Sequence, residues 1–583
     1  MSCRDYVYSE DYVEYILPCY GNLEKFQESY RPDCFQSIGG GLAVLFRKGN
    51  YEDEIPINGK IPQCYGLLDT SNIESTGVGQ IRRQPYLGFR GNGVLVGVLD
   101  TGIDYTHPAF LNGDGTTRIA AIWDQTAQQQ GVRDTSTIQV GDLELDPFTC
   151  VNDSSMPYFY GTEYTREQIN EALRSDNPYD IVPQRDENGH GTAMTGIIAG
   201  NEIRRDNFSG VAPLATLVIV KLKQAKKNLQ EYYGIREETP CFQETDIFFG
   251  IYYLLSKARK LNMPMVIYFG VGTNQGSHTG DSLLCNYLEY FSGIQGINFV
   301  TAAGNETNRG HHTYYSFEEG VSYKEIELRI AEGEQRFSFE IWVNSTNLFS
   351  LGIISPAGEF TGKIPMTANG TCYESNLVLE RVKICTRYHI FGLYSSRQLI
   401  FVRFSNIVPG TWRLRIYNEG SPGSFHIWLP MHGFIEEDTR FLAPVPETVI
   451  CDPGNGEAVL TIGAYNHNNL GIYLYSSRGY TANGQIKPDL VSAGVDITAP
   501  DIMGGYTSVT GTSVAAAHVA GMSAILWEWG IVEGFAPRLT GGDIKRLLIM
   551  GADRSGFSYP NRQSGYGIAN IARAFDLMRK PLE

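Results

Sequence analysis

Three short segments hold residue types that together can break an acyl bond: LDTGID, with Asp100 closing an apolar run; ENGHGT, with His190 opening a small-residue stretch; and VTGTS, ending in Ser513. A serine hydroxyl is a weak nucleophile at neutral pH and needs an adjacent base. An imidazole does that work only if a carboxylate fixes its tautomer and stabilises the imidazolium. Each segment supplies one of the three groups. Their chain order, Asp then His then Ser, discriminates among architectures, because other folds build the same constellation in other orders.

The elements that must position these groups can be read around them. The run Val94 to Asp100 (VLVGVLD) is predicted to be a buried parallel strand that delivers Asp100 at its carboxyl end, where open α/β sheets place their sites. His190 sits between Gly189 and Gly191 and precedes TAMTGIIAG, a small-residue segment suited to a tightly packed helix, so the imidazole should emerge from a helix N-terminus. Ser513 shares that geometry, with SVAAAHVAGMSAILWEW reading as a second helix whose alanines and glycines permit close packing. His518 lies five residues beyond Ser513, off its helical face, and reads as structural. Further strands are expected at Leu214–Leu222, in MVIYFGVG and in INFVTAAGN, and a helix over Asp246–Asn262. The fold class is α/β, a doubly wound parallel sheet.

LDTGID, NGHGTAMTGIIAG, TAAGNE and GTSVAAAHVAG resemble the four signature segments of the subtilisin-like serine peptidases, whose chain order of Asp, His and Ser is the same. The resemblance implies a fourth functional residue, Asn305, whose side-chain amide would donate to the tetrahedral oxyanion beside the backbone N–H of the nucleophile. Such a donor is worth roughly 10²- to 10³-fold in rate, a magnitude that comes from subtilisin itself. It also implies that Gly270, Val271 and Gly272 line the substrate backbone. The usual pattern there is Ser-Leu-Gly, so Gly270 and Val271 depart from it; Ala517 stands where many members have proline. No metal takes part in bond breaking by this chemistry and no cofactor is implied; structural calcium, common among relatives, is left open, since no acid-rich loop of recognisable spacing stands out.

Residues 1–70 resemble the propeptide of this family in position and length, a segment that templates folding and whose end occupies the active-site cleft. Cleavage is expected near Thr70 and Ser71, by analogy with the GVGQI segment that follows. The catalytic domain should comprise 71–309 and 446–583. The intervening residues 310–445 change character: FSFEIWV, WRLRI and FHIWL alternate apolar and polar residues with Gly, Pro, Asn and Ser between them, and read as an inserted β-sandwich or jelly roll. With YFYGTEYTREQINEAL, IVPQRDENGHGTAM and SGYGIANIARAF, this architecture resembles the clostridial Csp branch of germination peptidases. That branch implies limited proteolysis activating a cortex-lytic pro-hydrolase, with the propeptide often retained non-covalently. Two other readings stay open: a catalytically silent regulatory protein that binds through its insert, and a peptidase of general protein turnover.

Composition excludes several classes. A formal net charge of −17 and no basic cluster interleaved with aromatics argue against nucleic-acid binding. The acidic, tyrosine-rich N-terminus has no signal-peptide pattern, and no run of about eighteen apolar residues predicts a membrane span. The expected location is cytoplasmic synthesis with spore association. The ten cysteines, Cys3, Cys19, Cys34, Cys64, Cys150, Cys241, Cys285, Cys372, Cys385 and Cys451, lack CxxC pairs and read as free thiols, with Cys372–Cys385 the one bridge considered. His311 and His312 read as a surface loop rather than a metal pair, since strand neighbours point apart.

Overall fold

The computed structural model describes residues 3–579 except 20–28, 31, 53–54, 57, 69–87, 128–159, 345, 368–369, 391–394, 396, 421–422 and 556–557. The continuous apolar runs assemble into one eight-stranded sheet, in the order Leu490–Ala493, Leu460–Tyr465, Ile297–Ala302, Met265–Phe269, Leu95–Asp100, Thr216–Lys221, Ile119–Asp124 and Thr162–Thr165. All neighbours pair in parallel except the last strand, which closes that edge antiparallel to Ile119–Asp124.

Strand alternation divides the central residues between two cores. Val96 and Val98 pack with the helices His190–Ala199 and Thr512–Trp527, whereas Leu95 and Leu99 pack with Glu244–Leu261 and Leu283–Ser292. Burial on both faces is why these strands read as Val/Ile/Leu runs rather than as alternating patterns. The small residues of the Ser513 helix have a steric cause: a Cβ on Gly521 would lie 2.4 Å from the Cβ of Val211. Among the described residues, Thr512–Val532 is the helical stretch long and apolar enough to cross a membrane, and it is 89% buried inside the protein.

The N-terminal residues form the helix Cys3–Tyr8 and a three-stranded antiparallel sheet, with Leu42–Lys48 between Tyr12–Pro18 and Cys34–Gly39. Ile38, Leu42, Val44 and Phe46 join the core beneath the Glu244–Leu261 helix. Two ion pairs fasten this module to the central one: Glu14 with Lys226 at 2.9 Å, both fully buried, and Lys60 with Glu244 at 3.0 Å.

Between His312 and Phe441 the chain forms two antiparallel sheets that face each other over one core. The six-stranded sheet runs His312–Ser316, Ser424–Trp428, Arg336–Asn344, Arg397–Ser405, Val382–His389, Tyr373–Leu377; the four-stranded one runs Phe349–Ile354, Gly410–Asn418, Tyr323–Ile330, Arg440–Phe441. Phe339, Ile341, Trp412, Leu414, Phe425 and Ile427 fill the space between them. Entry and exit lie side by side: Phe441 N–H donates to the Gly310 carbonyl at 2.9 Å and Val445 N–H to that of His312 at 2.8 Å.

Two sequence expectations are corrected here. The cysteines are not all free thiols. Cys385 lies opposite Glu374 and Cys372 directly precedes that partner strand, so the hairpin brings their Cα atoms to 5.4 Å and they are bridged. Cys19 and Cys34 are each engaged in a disulfide, while Cys64, Cys241, Cys285 and Cys451 are free and buried; Cys150 lies outside the described residues. Nor are His311 and His312 on a surface loop. They do point apart, but both directions lead into packed interior: His311 Nδ1 is 2.7 Å from Glu306 Oε2, and the His312 ring stacks on Trp428 with its Nε2 2.9 Å from His426 Nδ1.

Candidate active site

Asp100 ends its strand fully buried, and the Thr101 N–H donates to its Oδ1 at 2.7 Å. His190 begins its helix because Gly189 turns the chain in the left-handed region, at φ 90°. The Asp186 carboxylate then accepts the N–H groups of Gly189 and Thr192, both at 2.9 Å, at the electropositive end of that helix. Gly191 must lack a side chain, since a Cβ there would meet the Gly102 carbonyl oxygen at 2.2 Å. The result is that His190 Nδ1 lies 2.7 and 2.8 Å from the two Asp100 oxygens, and Nε2 lies 3.3 Å from Ser513 Oγ. The carboxylate can only accept, so Nδ1 carries the proton and Nε2 is left as the base facing the hydroxyl. Ser513 is fixed from below by Tyr268, whose hydroxyl donates to the Ser513 carbonyl at 2.9 Å.

Asn305 follows the strand Ile297–Ala302 and is oriented by the residue before the serine. Its Oδ1 accepts from Thr512 N–H at 3.3 Å and from Thr512 Oγ1 at 3.2 Å, so the Nδ2 end of the planar amide is turned away from Thr512. The Thr512 hydroxyl in turn accepts the Gly304 N–H at 3.1 Å. Glu306, next along, is also buried. His518 is buried on the same helix as Ser513 and its Nδ1 lies 3.0 Å from the Ala493 carbonyl oxygen, away from the Asp100–His190 pair.

Gly270, Val271 and Gly272 run beside the N-terminal module's own chain. The strand Cys64–Leu67 is inserted between Val271–Gly272 and Phe242–Gln243, antiparallel to both, with Gly66 opposite Gly272 and Tyr65 opposite Phe242. One residue later, Leu68 donates its N–H to the Gly270 carbonyl at 3.3 Å, and its own carbonyl oxygen comes within 3.4 Å of His190 Nε2. Gly272 makes room for the Leu68 side chain, because a Cβ there would lie 2.8 Å from Leu68 Cδ1 and 3.3 Å from Cys451 Cβ. Asp452 stands in the same wall, where burial raises its carboxyl to about 6. Thr70 and Ser71 lie outside the described residues.

Sequence reasoning passed over Asp186, Thr512, Tyr268 and Leu68. Asp186 carried a legible signal, an acid four residues before the His190 helix begins. The other three make their contacts with residues distant in sequence and left none.

A twisted parallel sheet with an aspartate, a histidine and a serine gathered at one edge of two packed helices defines the subtilase class. The Subtilase family model matches residues 91–326 and 445–567, and the chain belongs to that family. It is similar to the solved structure of the CspB protease of Clostridium perfringens, with 31% identity, a TM-score of 0.74, and coverage of 87% of this chain and 98% of that one. Among curated proteins it is similar to the serine protease AprX of Bacillus subtilis, 31% identical over 132 residues, and to the subtilisin-like protease SBT1.9 of Arabidopsis thaliana, 22% identical over 482. Those matches span 28% and 57% of the length of the two relatives, so the chain corresponds to only part of each.

Proposed function

We propose that this subtilase is a serine endopeptidase that performs limited proteolysis through Asp100, His190, Ser513 and Asn305, and that its first substrate is its own N-terminal segment. One observation carries the reading: His190 Nε2 lies within 3.3 Å of Ser513 Oγ and 3.4 Å of the Leu68 carbonyl oxygen at once. This geometry supports Leu68–Asp69 as the reacting bond, a little before the Thr70 and Ser71 suggested by analogy.

In this reading Ser513 Oγ attacks the Leu68 carbonyl carbon as its proton passes to His190 Nε2. Asp100 stabilises the imidazolium through Nδ1. The carbonyl electron pair moves onto oxygen, where the Asn305 amide and the Ser513 N–H hold it. The intermediate collapses, His190 protonates the departing Asp69 nitrogen, and a water activated by His190 hydrolyses the acyl-enzyme.

The apolar face of the N-terminal sheet, with Ile38, Leu42, Val44 and Phe46 in the core beneath the Glu244–Leu261 helix, supports retention of the cleaved segment, because separation would return that surface to water. The two-sheet insert is read as the jelly roll of the Csp branch. With the sequence's resemblance to the Csp branch, we read its role as germination, with a spore cortex-lytic pro-hydrolase as the protein cleaved in trans.

Intact-mass spectrometry of wild type and Ser513→Ala tests the reading. Wild type should separate into fragments ending at Leu68 and starting at Asp69, and the variant should stay whole. A folded wild type that remains intact and resists a fluorophosphonate probe would establish a regulatory, non-catalytic protein instead.

A further inference from the structure

The insert touches the chain immediately beyond both parts of the site that must not move. Glu306, the neighbour of Asn305, is 2% exposed, and its carboxylate is met by groups of the insert: His311 Nδ1 lies 2.7 Å from Oε2, and the His432 N–H donates to Oε1 at 2.9 Å. A buried carboxylate is stable only when paired and hydrogen-bonded, so Glu306 is bound to whatever supplies those groups. Beyond the substrate strand the pattern repeats. Asn274 Nδ2 donates to the Leu429 carbonyl at 2.9 Å, and the Gly276 N–H donates to Oε2 of Glu340, an insert residue, at 2.8 Å.

We propose that the insert is a positioning element for catalysis, acting through the His311–Glu306 contact to hold Asn305 where it can meet the oxyanion. This rests on the peptidase reading above. On the near side of Asn305 the backbone is anchored to the catalytic core: Gly304, at φ 100°, gives its N–H to Thr512 Oγ1 at 3.1 Å, and its carbonyl accepts the Ser477 N–H at 2.8 Å. Thr512 sets which way the amide faces and holds the backbone before it. Glu306 supplies the second fixed point, one residue away. The leverage is large, since a displacement of about 1 Å in a reacting group can cost about 10²-fold in rate. Glu306 and His311 are positioning residues; neither reaches the Leu68 carbonyl.

The seated Cys64–Leu68 segment gives a direct readout. Its cleavage is unimolecular, so the first-order rate constant from pulse-chase synthesis of the full chain reports the chemical step without a binding term. Asn305→Ala should slow it by about 10²-fold, and Glu306→Gln by about tenfold. Added to Asn305→Ala, Glu306→Gln should bring no further loss, because the group it positions is already gone. His311→Leu is the second arm and should behave as Glu306→Gln does, which decides the matter if one of the two fails to fold. Equal slowing in the presence and absence of Asn305, or no slowing, overturns the proposal while leaving the peptidase reading intact. A wild type that never cleaves overturns both.

Discussion

A Cβ on Gly270 would fall 1.7 Å from Oδ2 of Asp100. The carboxylate therefore fills the side-chain space of the residue at the end of the adjacent parallel strand, where Phe269 pairs with Leu99. In this chain, where glycine replaces the family's usual serine, Asp100 lies against position 270 with both oxygens on His190 Nδ1. Gly270→Ala should push the carboxylate off the imidazole and slow Ser513 labelling by a fluorophosphonate by about 10²-fold or more. An unchanged labelling rate in a folded variant would remove this steric account.

Asp100→Asn tests the tautomer argument by itself. An amide of the same shape can donate to Nδ1, which would shift the ring proton to Nε2 and turn the base facing Ser513 into a donor. The expected loss is about 10⁴-fold, read as the rate of prosegment cleavage, with a melting temperature close to that of wild type. A loss of tenfold or less would mean that another group sets the tautomer.

Leu68 fills a space walled by Gly272, Cys451 and the Asp452 backbone, with Asp452's own carboxyl largely neutral below pH 6 through burial. Leu68→Met should cleave at a rate close to wild type. Leu68→Lys or Leu68→Glu should cleave at least tenfold more slowly, since an unpaired charge would enter an apolar wall. A lysine variant processed at the wild-type rate would show that the side chain does not occupy this space during reaction.

How much of this was legible in the sequence depended on whether a residue's role was local. Asp100, His190 and Ser513 could be found because each sits in a turn whose glycines are dictated by close approach, as Gly191 is by the Gly102 carbonyl. The strands of the sheet could be found because burial on both faces leaves a continuous apolar run. The environment of His311 and His312 could not: alternation along a strand says which way side chains point, not whether both sides are covered. The Cys372–Cys385 bridge depended on hairpin register, which is set by the pairing of Tyr373–Leu377 with Val382–His389 rather than by cysteine spacing. The Thr512–Asn305 contact joins residues about two hundred positions apart and has no local signature.

The stacked rings of His278, His312, His426 and Trp428 make stability depend on pH. Centroids lie 4.2, 4.9 and 4.8 Å from that of Trp428 for the three histidines in order. Burial lowers His278 to about 4 and His312 to about 3, and holds His426 well below the ordinary range; Arg397 pushes His278 the same way and Glu306 opposes it. Unfolded imidazoles titrate near 6.5, so between that pH and about 4 the unfolded chain binds more protons than the folded one. Stability should thus be flat above about pH 7 and fall as pH drops, by on the order of 2 kcal/mol per histidine at pH 5. Thermal unfolding from pH 8 to 4.5 checks the direction, and His426→Gln should make the decline shallower. A melting temperature constant down to pH 5 would contradict neutral burial.

The hydrogen bonds from Phe441 to Gly310 and from Val445 to His312 bear on how the chain reaches this structure. Asn305 and the next core strand, Leu460–Tyr465, are separated by roughly 150 residues. Joining them through an unstructured connection would carry the closure entropy of a long loop. Once the two antiparallel sheets have formed, their entry and exit are already adjacent, and the effective connection shrinks to a few tens of residues or fewer. With closure entropy scaling as (3/2)RT ln n, that shortening is worth about 1–3 kcal/mol at the step where the parallel sheet closes. The insert thus makes a distant pairing kinetically near, and a chain whose insert folds late should assemble its central sheet slowly.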